Sequence, residues 1–315
     1  MTRIVTEDEV RALLGYDRAA FDRVEAAYLW PRDRRVSMPP VFHIDIDPQS
    51  AVDIKGAFVE GLPVFAIKMA SGFYDNPRKG LPSSSSVILA ISGETGLCEA
   101  VLLDNGHIMN VRTALAGAVA THHLAGPDMS AVGIVGTGVQ AREQARALTL
   151  VRKPERFLVW GRNDEKAASC AAEIERLTGV VATPVSVLET LVRQSPTIIT
   201  TTQSLSPLIR ADWIGPGTHI TAVGSDLPGK QELDADVLRE ARLVVCDSVA
   251  QCRIGGELQH VAVSDLRNDP RELADVIAQE AGRQLESDIT ICDMTGLGLL
   301  DTAVANLVIE RLSAA

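Results

Sequence analysis

Polar and apolar positions alternate along the first third of the chain and gather into solid apolar runs along the rest. A capping box spans Thr6 to Glu9, and a helical pattern follows through VRALLGYDRAAFDRVEAAYLW to Pro31. The short runs VDIKGAFV (52–59) and VFAIKMA (64–70) come next, joined by the turn residues EGLP. SSVILAIS and CEAVLLD follow, with the hairpin-like turn GETG (93–96) between them. A strand meander without crossover helices predicts an antiparallel sheet. NVRTALAGAVATHHLA (110–125) then reads as a helix with small residues on several faces, stopped by Gly126-Pro127.

From residue 130 the rhythm changes. SAVGIVG, RFLVWG, GVVAT, TIITTT, THITAVG, RLVVCD and DITICD read as strands, mostly as continuous apolar runs. Helical patterns such as VQAREQARALTL, DEKAASCAAEIERL and ADVLREA lie between them. Buried strands separated by helices predict a parallel sheet covered on both faces. A last helix, LLDTAVANLVIERL (299–312), closes the chain and is free to pack back against the first domain. The expected organisation is α/β: an α+β domain over 1–125, completed by 299–315, and a Rossmann domain over 126–298.

The first strand of that second domain runs into Gly136-Thr137-Gly138-Val139-Gln140-Ala141, which fits GxGxxA. The first glycine makes the tight turn, the second admits a pyrophosphate to the backbone, and Ala141 keeps the helix close to the strand. The helix N-terminus faces the phosphates. Gly136, Thr137, Gly138, Val139 and Gln140 are therefore candidate cofactor contacts, with Thr201 at the end of TIITTT. The second strand ends LVWGRN (158–163), where an NAD site would place an acid for the ribose hydroxyls. Arg162 stands there instead and suits a 2′-phosphate, so the expected cofactor is NAD or NADP, with NADP favoured.

Composition narrows the functional classes. Lys and Arg number 30 against 41 Asp and Glu, a net charge of −11, and aromatics are 4%. Neither a phosphate-backbone surface nor an anionic membrane is a natural partner for such a chain. Cys98, Cys170, Cys246, Cys252 and Cys292 are scattered and form no CxxC pair, which suggests reduced thiols. His122 and His123 are adjacent and would point about 100° apart on a helix, so no metal site is expected. MTRIVTEDEVRALLG carries acids where a signal peptide needs a basic end and an apolar core. No apolar stretch reaches the roughly 20 residues of a membrane span. A cytoplasmic protein is the expectation.

Three polar groups stand out against this background. Lys68 sits inside an otherwise apolar strand, where it either snorkels from an edge or points into a polar site. Arg112 falls in the first turn of the predicted 110–125 helix, where it gains nothing from the macrodipole. Both suit a carboxylate-bearing ligand. Asp226 follows a predicted strand end (220–224), where open α/β sheets bind ligands; it is equally placed to be a turn aspartate.

The run from FAIKMASGFYDNPRKGLPSSSS through NVRTALAGAVATHHLA, then VGIVGTGVQA and VGSDLPGKQELD, resembles the ornithine cyclodeaminase/mu-crystallin family over nearly the whole chain. The resemblance implies a homodimer with an N-terminal substrate domain and a Rossmann domain for NAD(H) or NADP(H). It implies hydride transfer to or from the α-carbon of a small imino or amino acid. It makes Lys68 the active-site lysine, Arg112 the carboxylate-binding arginine, Ser83 a substrate-contacting hydroxyl and Asp226 the residue that handles the nitrogen's proton. Two positions depart from the family's pattern. MPPVFHID offers Phe42 or His43 where many members carry a second arginine clamp, and DIKGAF offers Lys55 where ornithine-specific members carry an acid. If Lys55 faces inward, it repels a second ammonium and welcomes a second carboxylate or polar group. IKGAF, GSDLPGKQELD and GGELQH look closest to iminosuccinate reductases and ectoine-utilisation proteins. The alternatives are cyclodeamination with recycled NAD and a non-catalytic small-molecule binder of the crystallin type.

Overall fold

The computed structural model describes residues 2–47 and 49–314. The first part of the chain forms β1 (Arg3–Val5), α1 (Glu7–Leu13), α2 (Arg18–Asp33), β2 (Val36–Ser37), β3 (Phe42–Asp47), β4 (Ser50–Val59), β5 (Val64–Phe73), β6 (Ser84–Ser92), β7 (Cys98–Leu102) and α3 (His107–Leu124). The second part begins β8 (Val132–Val135), α4 (Val139–Leu148), β9 (Phe157–Trp160), α5 (Asp164–Thr178), β10 (Ala182–Pro184), α6 (Leu188–Gln194) and β11 (Thr197–Thr200). It continues with β12 (Leu205–Ile209), β13 (His219–Ala222), β14 (Gln231–Leu233), α7 (Ala235–Glu240), β15 (Leu243–Cys246) and α8 (Val249–Gly255). After β16 (Arg271–Glu272), α9 (Leu273–Ile277) and β17 (Thr290–Asp293), α10 (Gly298–Ala314) ends the chain. Contacts divide these into one unit of Met1–Arg112 with Leu297–Ala315 and another of Thr113–Gly296. The division falls within α3, ahead of the 125/126 boundary expected from Gly126-Pro127.

In the first unit the capping box forms as expected: the Thr6 amide donates to Glu9 at 2.8 Å, and Glu9 N returns a bond to the Thr6 hydroxyl. The single helix expected through Pro31 is instead two. The chain leaves α1 at extended Leu14, and Asp17 caps a new helix by accepting from Ala20 N at 2.8 Å. That helix runs past Pro31 to Asp33, because a proline in the last turn removes little of the helical bonding. The strands pair in the order β1-β7-β6-β5-β4-β2, with β3 also on β4. All these pairs are antiparallel except β1 on β7, a parallel edge that the meander pattern did not announce.

Helix α10 packs on β4 and β5 and against α2. Its start lies directly on the sheet: a Cβ on Gly298 would come within 3.0 Å of the Gly56 backbone. Two polar residues of this apolar helix stitch it down. Thr302 Oγ1 donates to Ala57 O at 2.7 Å and accepts from Ala66 N at 2.9 Å, and Asn306 Nδ2 donates to Val64 O at 2.7 Å. The opposite face of the sheet carries exposed Phe42, Ile44, Ile46, Ile67, Met69 and Leu89.

The second unit is built on an eight-stranded sheet ordered β10-β9-β8-β11-β13-β17-β15-β16, parallel throughout. The chain steps outward from β8 to β10 and then returns to β11 beside β8, which makes a topological switch point between β8 and β11. A separate parallel pair, β12 and β14, lies outside this sheet. Its core joins apolar residues of the strands, including Val135, Ile198, Ile220, Val244 and Ile291, to those of α6, α7 and α8. No helix among the described residues is long and apolar enough to cross a membrane.

Candidate active site

Strand β5 places Lys68 on the face covered by α10, and the lysine is 1% exposed. Its Nζ lies 2.7 Å from Oδ2 of Asp301, in the first turn of α10, while Oδ1 of the same carboxylate accepts from Arg112 Nε at 3.1 Å. One fully buried carboxylate therefore bridges two buried cations. The N-terminus of α10 adds positive potential on the same acid. Burial alone would raise the Asp301 carboxyl, but the Lys68 and Arg112 charges hold it below its ordinary value. Burial, followed by the Arg112 charge, lowers Lys68 from 10.5 to about 8 against the pull of Asp301.

Asp301 is the group that the sequence reading passed over. Its signal was an acid in the first turn of a mostly apolar helix, well ahead of the charged pair Glu310-Arg311 at the other end. Arg112 sits differently from expectation. Helix α3 begins at His107, so Arg112 lies in its second turn, and the macrodipole argument from the first turn falls away. Asp104 explains the earlier start, because its carboxylate accepts from Ile108 N at 2.8 Å and from Ser86 Oγ at 2.9 Å.

Strand pairing settles the direction of Lys55. It stands directly opposite Lys68 in the β4–β5 register, and directly opposed residues share a face of the sheet. Lys55 therefore adds a third cation on the Lys68 face, and its charge lowers the pKa values of both Lys68 and Asp301. His43 pairs with Asp53 across β3 and β4, its ring nitrogens 2.6 Å from Asp53 and 2.9 Å from Asp45. Those two carboxylates raise its pKa, so a substrate carboxylate on His43 must compete with two of the protein's own. Ser83 is not drawn to Lys68 by the pairing. It precedes β6, five residues before Ile88, the partner of Lys68, and five residues of strand span about 16 Å.

At the switch point of the second unit, Gly136 has φ +128°, and a Cβ there would run into the Thr201 hydroxyl. Thr201 N donates to Val135 O at 2.9 Å, which seats Thr201 beside the glycine turn. A Cβ on Gly138 would meet nothing within 4 Å, and this N-cap of α4 has no side-chain cap bond. The helix thus presents bare amides over an open backbone, as a pyrophosphate requires. Val139 is exposed, Thr137 and Gln140 are partly so, and Gln144 Nε2 donates to Gln140 at 3.3 Å. Arg142, which the sequence reading did not single out, braces the turn by donating to Thr137 O at 2.8 Å and Gly138 O at 2.9 Å. A Cβ on Gly161 would lie 2.5 Å from Thr137 Cγ2, so any side chain on the residue after β9 must displace that of Thr137. Exposed Arg162 follows it.

Asp226 lies on the loop between β13 and β14. It pairs with Lys230 Nζ at 2.6 Å and is itself 44% exposed. The scattered cysteines converge more than their spacing suggested: Cys246 and Cys252 meet Asp293, with ligand atoms within 4.8 Å. Both Asp293 oxygens already accept backbone amides, from Glu257 and Leu258 at 2.9 Å each. Burial raises the Cys252 thiol well above its ordinary value, and neutral thiols are poor metal ligands.

The arrangement has counterparts among known proteins. The family profile of the ornithine cyclodeaminase/mu-crystallin proteins matches residues 1–315. A putative dehydrogenase of Rhizobium meliloti (strain 1021) is 41% identical over 322 residues, covering 100% of this chain and 98% of that protein. An archaeal alanine dehydrogenase dimer with bound NAD superposes with a TM-score of 0.90 at 31% identity, covering 99% of this chain and 96% of the other. The iminosuccinate reductase of Paracoccus denitrificans, in complex with NAD+, gives a TM-score of 0.88 at 30% identity, covering 99% and 97%. With a Rossmann sheet, a glycine turn and a helix-covered, mostly antiparallel sheet all matched from end to end, the chain belongs to the ornithine cyclodeaminase/mu-crystallin family.

Proposed function

We propose that the protein is an NAD(P)H-dependent oxidoreductase of the C–N bond in a small α-imino or α-amino acid. The observation that carries this reading is the buried Lys68–Asp301–Arg112 group with Lys55 on the same face. Two buried cations, Lys68 and Arg112, against the one carboxylate of Asp301 leave a surplus that suits an anionic substrate, and Arg112 has the planar fork that grips a carboxylate. Asp301 holds the two nearer cations in place, so that the substrate carboxylate meets a fixed pair. Lys55 extends the positive field and favours substrates with a second carboxylate over those with a second amine. It is the feature that argues against cyclodeamination of a diamino acid, which would bring an ammonium towards it.

Gly136, Thr137, Gly138, Val139, Gln140 and Thr201 are the residues that would hold the cofactor's pyrophosphate end, and Arg162 would meet a 2′-phosphate. The absence of an acid at Gly161 supports NADP over NAD. Bound in its reduced form, a nicotinamide supplies the hydride. Asp226 exchanges the proton with the substrate nitrogen, Arg112 and Lys68 orient the carboxylate, and such fixed orientation can contribute several kcal/mol to lowering the barrier. The working form is a cytoplasmic homodimer, joined through the apolar sheet face of Phe42, Ile44 and Met69, which is too continuous to be left to water.

The test is a screen of α-keto acids with ammonium and either reduced cofactor, beginning with dicarboxylates. Net loss of NAD(P)H absorbance, strongest for dicarboxylates, is the expected result. Ammonia release from ornithine with catalytic NAD+ and no net change in absorbance would overturn the reading.

A further inference from the structure

The loop that carries Asp226 is held from one side by a short segment, Gly255–His260. Gln259 Oε1 accepts from Gly229 N at 2.8 Å, and its Nε2 donates to Lys230 O at 3.3 Å. His260 Nε2 lies 2.7 Å from Lys230 O. Buried Ser225 closes the loop by donating to Lys230 O at 2.9 Å and Gly255 O at 3.3 Å. The approach is tight: a Cβ on Gly255 would stand 3.1 Å from Asp226 O.

This segment is itself fixed by buried acids. Asp293, at the end of β17, accepts from the amides of Glu257 and Leu258. Glu257 reaches on to β14, where its two oxygens accept from Glu232 N at 2.8 Å and Leu233 N at 3.1 Å. Glu232 then accepts from Thr202 N at 2.6 Å and Gly224 N at 2.8 Å, and from the Thr200 hydroxyl at 2.5 Å. All three carboxylates are 0% exposed. Burying three acids is costly unless each is fully bonded, and here each spends its oxygens on the backbone of a neighbouring segment. Such a network is rigid when complete and expensive when broken.

We propose that Glu257 and Asp293 are positioning residues that set the conformation of the Asp226 loop through the Gly255–His260 segment. Glu257 ties the segment to the strand that follows the loop, Asp293 ties it to the sheet, and Gln259 and His260 transmit the constraint to Lys230, the ion-pair partner of Asp226. The proposal rests on the reading of Asp226 as the proton-transfer group, and it predicts that the relay governs turnover without governing substrate affinity.

The test compares Glu257→Gln, Asp293→Asn, Gln259→Ala and Asp226→Asn with the full-length protein. Gln259→Ala removes its loop contacts and one bond within its own segment, to Gly256 O at 2.8 Å, but leaves the buried acids in place and keeps the measurement interpretable if the buried variants fail to fold. Expected for Glu257→Gln, Asp293→Asn and Gln259→Ala is a kcat lowered by about 10- to 100-fold, the scale of a sub-ångström to 1 Å misplacement. KM for the keto acid and the Kd of the reduced cofactor stay within about threefold. Amide hydrogen exchange at residues 225–231 rises, and the pH profile of kcat shifts. A kcat within twofold of wild type for both Gln259→Ala and Glu257→Gln, or a lowered kcat with unchanged exchange at 225–231, overturns the proposal. Full turnover in Asp226→Asn overturns the underlying proton-transfer reading. An inactive Asp226→Asn beside a fully active Glu257→Gln overturns the relay alone.

Discussion

Replacing Asp301 with asparagine keeps the shape of the side chain and removes the only anion bonded to both Lys68 and Arg112 among the described residues. Lys68 is 1% exposed and Arg112 5%, so neither can turn to water for solvation. Removing one partner of a buried pair typically costs about 3–5 kcal/mol. For a chain of 315 residues each kcal/mol lowers Tm by about 1.5 °C, so a fall of roughly 5–8 °C at pH 7 is expected. The pH dependence sharpens the test. In the wild type, Lys68 has a folded pKa of about 8 against 10.5 unfolded. Its burial penalty is therefore fully present below pH 8 and fades as pH rises towards 10.5, because the unfolded state binds more protons in that window. Loss of Asp301 removes the attraction that opposes this shift, so the folded pKa drops below 8 and the window opens earlier. The stability gap between Asp301→Asn and wild type must then narrow as pH rises towards 8. Calorimetry at pH 6, 7, 8 and 9 measures this directly. Adding Lys68→Met to Asp301→Asn should recover part of the loss, since it removes an uncompensated cation. A Tm within 2 °C of wild type at pH 7, a gap that does not narrow, or strictly additive single variants would refute the reasoning.

Three further outcomes follow from the same geometry. Binding of a non-reactive dicarboxylate should weaken as pH rises through about 8, where Lys68 loses its proton, by at most tenfold per pH unit; calorimetric titration would show it, and Lys68→Met should flatten the curve. Arg162→Ala should weaken NADPH more than NADH in a fluorescence titration, and equal losses would remove Arg162 as the phosphate contact. Ile44→Asp puts a charge on the exposed apolar sheet face and should convert a dimer to a monomer in size exclusion with light scattering, whereas an unchanged mass would place the dimer contact elsewhere.

Local rules made much of this protein legible before its fold was seen. Thr6 and Glu9 announce a helix start because a capping box is complete within four residues, and Gly136 announces its turn because a tight backbone path leaves no room for a side chain. Lys68 was visible as a charge in an apolar strand. What stayed hidden depends on distant partners. Asp301 meets Arg112 across 189 residues, and no local pattern joins them. The direction of Lys55 needed the β4–β5 register, since alternation along one strand names two faces but not which is covered. The break between α1 and α2 was masked by apolar positions that continue the helical period across Gly15, and the early start of α3 was hidden because its cap, Asp104, reads as the end of a strand. The insertion of β17 between β13 and β15 is likewise a tertiary choice. It brings Asp293 to Glu257 and to Cys246 and Cys252, two of the cysteines that lie scattered in the sequence.

The most direct test of hydride transfer at an amino-acid α-carbon uses reduced cofactor deuterated on the transferring face of C4. Incubated with a dicarboxylic α-keto acid and ammonium, the protein should form an amino acid carrying one deuterium at Cα for each cofactor oxidised, as read by mass spectrometry and NMR. An amino acid without deuterium at Cα, or cofactor that remains reduced while product forms, would contradict the account.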